Sequence, residues 1–409
     1  MGGRGFGVRL SLVYVALFFV IGIHLPFFPV WLKYKGLSDD QIAITLSAMI
    51  AIKIFSGPLF AFIADRTGRS RHVLQALCLA VAMTMSALAF SQGFAAVLLL
   101  CILDTMVWAP VVPMIEGYAV REASVRGVSY GRLRLWGSLS FIAAGFGGGL
   151  ALDYIDEQAI IVALVGAHVL LFAACLYLAP ERGAEEDIEI SGPPGILRLG
   201  DATNLLTRRL FLIFLLAAGL AQASHAVLYG FGTLHWREIG IPGGAIGMLW
   251  GIGVAAEVVL FAFSGSALKW IGPAGLILIG ALAGIVRWTG TALDPSLPLL
   301  FGLQILHALT FGATHLGAIH FINKAVPHRL HNTAQGLYAA LGVSLLMAIA
   351  TAAAGGLYST YGAYAFFAAA GMSLFAAMAA WRLFVTWDGG RIIENTSGAT
   401  PKEHAEPDA

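Results

Sequence analysis

Twelve apolar stretches of roughly 19 to 28 residues take up nearly all of this chain. They lie near 8–32, 40–64, 73–91, 93–119, 131–153, 158–179, 209–236, 244–265, 272–292, 297–324, 333–358 and 363–387. About 20 residues of helix cross a hydrocarbon core of roughly 30 Å. In lipid each segment must satisfy its own backbone hydrogen bonds, so each is expected to be a helix. Of the 409 residues 11% are charged, against about 25% in a soluble domain. The fold class that follows is an all-α membrane protein of twelve transmembrane helices. A charge at bilayer depth costs at least ~2.5–3.5 kcal/mol, so the few ionisable groups inside the spans are the first candidates for function.

Several classes drop out on composition. A net charge of +1 without a basic tract argues against a nucleic-acid partner. Cys78, Cys101 and Cys175 sit in apolar segments without metal-knuckle spacing and read as packing residues. No metal-ligand cluster, nucleophile elbow or glycine-rich phosphate loop is present, so no enzyme is expected. Neither a metal nor an organic cofactor is expected. The run after Arg4 and Arg9 is too long for a signal peptide and continues into Pro26-Phe27-Phe28-Pro29, so it reads as a retained first span.

Loop charge sets the expected orientation. With both termini cytoplasmic, eighteen lysines and arginines fall in inner loops and tails and three, Lys33, Lys35 and Arg237, in outer loops. That is the positive-inside asymmetry of a multi-pass protein of a bacterial-type inner membrane. The remaining three cations, Lys53, Arg134 and Arg287, lie within spans. The domains expected are a six-helix bundle over 1–180, a flexible cytoplasmic linker over 181–208, a second bundle over 209–388 and a flexible tail over 389–409. The halves echo one another. Ala61-x3-Asp65-Arg66-x-Gly68-Arg69 closes span 2, and Gly265-x3-Lys269-x2-Gly272 closes span 8, 204 residues later. A parallel repeat with a site between its halves is the plan of a rocking transporter, in which the Asp65, Arg66, Gly68 and Arg69 turn would lock the inner ends.

Glu257 lies near the middle of span 8. Desolvation favours the neutral form of an unpaired carboxylate, which suits a group that takes up a proton at one face and releases it at the other. The alternative is a structural counter-ion for Arg287 in span 9. Arg287 must itself be paired or face a wet cavity, where it could hold a substrate carboxylate as a bidentate fork. Glu116 and Arg134, at the inner ends of spans 4 and 5, form either a loop-end salt bridge or substrate contacts. Lys53 and Asp104, each twelve residues from the inner-end acid of its helix, stand at similar depth and could pair. His307 and His315 share a face of span 10 near Thr310 and Phe311. Tyr229, Trp108, Trp136 and Trp250 could stack on a planar substrate or pack helices. Gly145 and Gly147 to Gly149 read as sites of close helix approach.

Taken together, these features resemble the major facilitator superfamily, whose fold is two pseudo-symmetric six-helix bundles; Ala61 stands where its loop signature usually has glycine. Pro26-Phe27-Phe28-Pro29-Val30-Trp31-Leu32 looks like the end of helix 1 in the lactose permease group. Glu116, Arg134, Glu257, Arg287 and His307 line up with that group's sugar-binding and proton-handling residues. Gln304 and Thr310 replace its lysine and acid three residues either side of the histidine, and Phe141 replaces its sugar-stacking tryptophan. A longer likeness is to the 3-phenylpropionate permease branch. It runs through Tyr130-Gly131-x2-Arg134-Leu135-Trp136-Gly137-Ser138, through Leu249-Trp250-x2-Gly253-Val254-x-Ala256-Glu257-Val258, and through Leu303-Gln304-x-Leu306-His307-x2-Thr310-Phe311-x3-His315.

The resemblance implies a functional monomer in the lipid bilayer that carries a small aromatic or related carboxylate in symport with protons by alternating access. Glu257 and His307 would handle the proton. Glu116, Arg134, Arg287, His307, Phe311 and Trp250 would contact substrate. A proton-coupled sugar or nucleoside symporter is the alternative, and a transporter-like membrane sensor a more distant one.

Overall fold

The computed structural model describes residues 3–67, 69–178 and 199–393. Helix is the dominant element throughout. We number the long helices α1 (Gly3–Tyr34), α2 (Asp39–Thr67), α3 (Ser70–Ala89), α4 (Phe94–Val125), α5 (Tyr130–Ala151) and α6 (Gln158–Leu176) in the first half. The second half holds α7 (Arg209–Glu238), α8 (Gly243–Ala262), α9 (Ser264–Ala292), α10 (Leu297–Ala325), α11 (328–361) and α12 (Phe366–Thr386). Ten stretches among the described residues are long and apolar enough to span a bilayer. One of these, His328–Thr386, holds both α11 and α12, parted at Gly362 where φ is 54°. With α5 this makes twelve. The bend within α9 at Gly272 (φ 74°, ψ 167°) is the true reversal of the chain after α8, and it falls on the glycine of the second-half turn motif. That backbone suits glycine alone without strain.

Core composition shows how the halves meet. One apolar cluster draws on both, with Phe28, Trp31 and Phe141 beside Phe231, Trp236 and Ile246. Toward the chain ends the core divides. Phe6, Tyr14 and Leu171 belong to a cluster of the first half only, and Phe214, Phe321 and Leu383 to one of the second half only. The bundles are therefore joined on the side away from the termini and parted on the terminal side.

Small residues make that closed side possible. A Cβ on Gly149 of α5 would stand 2.1 Å from the carbonyl oxygen of Gly243 on α8, and one on Gly247 would stand 2.2 Å from that of Gly145. The two helices touch backbone to backbone, as small-residue pairs four apart allow. Gly147 meets nothing, so the close approach belongs to one face of the glycine run. Ionic contacts reinforce the junction. The Asp153 carboxylate accepts from the backbone N–H of Gly243 (2.7 Å) and Gly244 (3.2 Å), so one bundle caps a helix of the other. Arg237 of α7 pairs with Glu157, just ahead of α6, at 2.6 Å. Between α2 and α11, Ser47 Oγ donates to the Ala348 carbonyl at 2.8 Å.

Two pieces of the stretches expected to be flexible hold structure. Leu199–Leu206 is a short helix whose Leu205 enters the second-half core. Ile392 N donates to the Ala325 carbonyl at 2.8 Å, and Ile393 is buried. The helix of Leu205 lies against α7 and the start of α11, and Ile392 meets the end of α10, which the nearby prolines and charges do not prevent. Residues 179–198 and 394–409 lie outside the described residues.

Candidate functional site

A cavity of about 660 Å³ lies between the bundles, walled by α1, α5, α7, α8, α9 and α10. It reaches Tyr130 and Gly131 at the start of α5 and Ala262 at the end of α8, the ends on the parted side. Its walls are mainly aromatic and aliphatic, with Phe18, Phe141, Tyr229, Trp250, Phe261 and Phe311 among them. Trp250 stacks with Tyr229 at 6.0 Å between centroids and is fixed by its indole N–H donating to Thr233 Oγ1 at 3.0 Å. Phe311 is sandwiched between His307 and His315.

Of the expected site residues, Arg134, Trp250, Glu257, Arg287, His307 and Phe311 all line this cavity. Glu116 stands one layer behind. It pairs with Arg134 Nε at 3.2 Å and accepts from Tyr14 OH at 2.8 Å and from Tyr130 OH. Its oxygens are thus occupied, and it holds Arg134 in place over the Phe18 ring, 4.0 Å from guanidinium carbon to centroid. The Arg134 charge is balanced before any ligand arrives.

Arg287 is different. It is 1% exposed, the largest buried cation in the described chain, and its neighbours are neutral. Nη1 donates to Thr310 Oγ1 (2.8 Å) and His307 Nδ1 (3.2 Å), with His225 Nε2 at 3.4 Å; Nη2 donates to Gln304 Oε1 (2.7 Å). The guanidinium also lies over the Trp288 ring at 4.4 Å. No carboxylate is within ion-pair distance among the described residues. The expected alternative of an Arg287–Glu257 pair is therefore not what forms. Glu257 Oε2 instead faces His307 Nε2 at 3.7 Å, longer than a hydrogen bond.

A guanidinium has no lone pair to offer, so His307 Nδ1 must accept from Arg287, and its hydrogen sits on Nε2, toward Glu257. His225 donates from Nδ1 to the Gln222 carbonyl (3.0 Å) and accepts at Nε2 from Thr310 (3.1 Å). Both histidines are thus neutral here. Of the five N–H donors of Arg287, Nη1 spends two and Nη2 one. Nε has no partner, nor does the buried Nε2 amide nitrogen of Gln304. The second-half wall keeps unspent N–H donors and a single carboxylate, Glu257.

Local helix geometry produces this convergence. Leu228–Gly232 in α7 and Ala308–Ala313 in α10 are π-helical, one residue wider per turn than α. The wide turn in α10 begins right after His307, and its Phe311 carbonyl accepts both the Thr314 N–H and, at 3.5 Å, Gln222 Nε2 of α7.

The other expectations fare differently. Lys53 and Asp104 do not pair; Asp104 accepts from Thr84 Oγ1 at 2.6 Å inside the first bundle, and Lys53 makes no ion pair among the described residues. Similar depth on two helices did not bring the side chains together, because α3 stands closer to Asp104 and its hydroxyl satisfies the buried acid. Trp108 packs on His168 within the first bundle, and Trp136 faces outward, 53% exposed. His315 stacks on Phe311 but does not line the cavity. Arg66 and Arg69 are exposed, while Gly68 and the Asp65 side chain lie outside the described residues. His225 and Tyr14 escape a reading built on charges within spans. The polar run Gln222-Ala223-Ser224-His225 in an otherwise apolar segment is the signal that marks the first.

A family model described as MFS_1 like family matches residues 8–369. The chain belongs to that family. A probable 3-phenylpropionic acid transporter of Escherichia coli (strain K12) is 33% identical over 359 residues, 86% of this chain and 91% of the relative. A maltose permease of Geobacillus stearothermophilus is 29% identical over 344 residues, 82% and 83% of the two chains. Among solved structures, that of the nucleoside transporter NupG covers 93% of this chain and 99% of its own at a TM-score of 0.81 and 18% identity, a likeness of fold. The protein is accordingly a multi-pass membrane transporter of the major facilitator type, a carrier of a small molecule and not an enzyme.

Proposed function

We propose that this family member is a proton-coupled symporter for a small aromatic or related carboxylate, of the 3-phenylpropionate type. The observation that supports it is the donor balance at Arg287. Two N–H groups of the buried Arg287 guanidinium and the amide nitrogen of Gln304 have no hydrogen-bond partner, and both residues line a cavity walled by aromatic rings. A carboxylate only accepts, and suits the unspent donors of Arg287 and Gln304; a sugar or nucleoside also brings hydroxyl donors, which beside Arg287 would compete for one carboxylate, Glu257, and the Tyr229 hydroxyl. The relative named as a probable 3-phenylpropionic acid transporter points the same way.

In this reading the substrate carboxylate meets Arg287 and Gln304, and its ring packs among Tyr229, Trp250 and Phe311. Glu116 positions Arg134, which contributes a second, already balanced cation on the opposite wall. Glu257 carries the coupled proton, with the Nε2–H of His307 directed at it. Proton and monoanion cross together, and the substrate charge is cancelled. The positive-inside bias of the loops supports cytoplasmic termini in a bacterial-type inner membrane; in that orientation the parted side opens inward and the glycine-lined junction shuts the outside. The Asp65–Arg69 turn would act when the inner side closes.

The test is a thermal-shift panel on the purified transporter. Aryl carboxylates stabilise it and their amides, sugars and nucleosides do not. Stabilisation by a sugar or nucleoside with none by the acids overturns the reading.

A further inference from the structure

A second cavity, of about 670 Å³, lies outside the central one and shares no lining residue with it. Its floor is the seam between α1 and α5. Val8, Leu12 and Val15 line it from the first helix and Trp136 from the second, with Arg126 and Arg132 at the end nearest the α4–α5 loop. Val8 is 62% and Leu12 57% exposed. On a helix that crosses a membrane, such a strip faces acyl chains.

The two arginines are not equivalent. Arg126 donates from Nε and Nη2 to Glu122 at 2.9 and 2.8 Å and lies over the Phe6 ring at 4.5 Å, so its charge is spent. Arg132 is exposed and has no ion pair or hydrogen bond among the described residues. No acidic side chain lines the groove. Arg132 and Trp136 are four residues apart, one turn on one face of α5. An indole thus stands in the second turn of α5 with an exposed guanidinium one turn closer to the helix start, above an apolar trough, the order of residues found at a membrane–water boundary.

We propose that this groove binds one anionic phospholipid, its phosphate at Arg132, its glycerol region against Trp136 and an acyl chain along Val8, Leu12 and Val15. The chemistry selects an anionic lipid over a zwitterionic one. The site offers one uncompensated cation and no carboxylate to receive a choline or ethanolamine head. Bound there, the lipid braces α1 against α5, the two helices that carry Phe18 and Arg134 to the central cavity.

Native mass spectrometry of the full transporter from mixed micelles tests this, with dioleoyl phosphatidylglycerol and dioleoyl phosphatidylcholine at equal amounts. Wild type should retain one phosphatidylglycerol in preference, and Arg132→Gln should cut that preference about fivefold, the worth of one cation near an anionic head group. Trp136→Leu should weaken it in the same direction, and Arg382→Gln, on the other bundle, should leave it unchanged. Glycerol phosphate at matched concentration should not displace the lipid. Equal retention of both lipids by wild type, an unchanged preference in Arg132→Gln, an equal loss in Arg382→Gln, or displacement by glycerol phosphate alone would each overturn the proposal.

Discussion

Replacing Arg287 by glutamine separates the anchor from every other feature of the cavity. In the empty protein this guanidinium is buried without a counter-ion, and Nε has no partner. A buried donor left unsatisfied costs about 1–3 kcal/mol; removing the cation relieves that cost but leaves the Gln304 Oε1 and His307 Nδ1 acceptors without their donor, so the two effects oppose and the empty variant should melt close to wild type. With ligand the sign reverses. Deleting one partner of a buried, hydrogen-bonded charge pair costs about 3–5 kcal/mol, which corresponds to roughly a hundredfold to several thousandfold in Kd. Isothermal calorimetry with 3-phenylpropionate and its amide makes the comparison. Wild type should prefer the acid by that margin, and Arg287→Gln should bind the two alike, with amide affinity little changed. If acid and amide lose affinity equally, the lesion is in cavity shape, and the assignment of Arg287 as the carboxylate anchor fails.

Three further outcomes follow from the same geometry. Thr310→Glu puts a carboxylate where Arg287 Nη1 now donates to a hydroxyl at 2.8 Å; it should raise the melting temperature of the empty protein and abolish stabilisation by aryl acids, and retained stabilisation would count against the donor balance. Gly149→Val drives a side chain into the Gly243 carbonyl, 2.1 Å from the new Cβ; it should lengthen the distance between spin labels at Tyr154 and Leu293 and stop counterflow, whereas unchanged distances would mean that the α5–α8 contact is not the outer seal. Asp153→Ala removes a cap worth about 1 kcal/mol, so the same labels should show a roughly fivefold shift toward the opened outer side, smaller than that of Gly149→Val.

Much of the architecture was legible because lipid admits so few solutions. Span length, loop charge and the duplicated turn led to two six-helix bundles, and Gly272 adopts the conformation its place in that turn requires. The cavity residues were also within reach. A buried charge in a span has few tolerable positions, so Arg134, Glu257, Arg287 and His307 converge. What the sequence could not convey is who partners whom. Lys53 and Asp104 share a depth, yet a threonine one helix away takes the acid. Gln304 and Thr310 looked like losses relative to the lactose permease pattern. In the structure they are the groups that hold Arg287, and their neutrality is why its charge stays unbalanced. The π-helical turns in α7 and α10 shift register by one residue and cannot be read from hydropathy at all.

Radiolabelled 3-phenylpropionate uptake into proteoliposomes under an imposed pH gradient tests the central claim most directly. Wild type should concentrate the acid inside while the gradient lasts, and Glu257→Gln should only equilibrate it, with exchange of internal for external substrate preserved. Concentrative uptake that persists in Glu257→Gln, or a wild-type protein that moves the acid with no response to the gradient, would contradict the account.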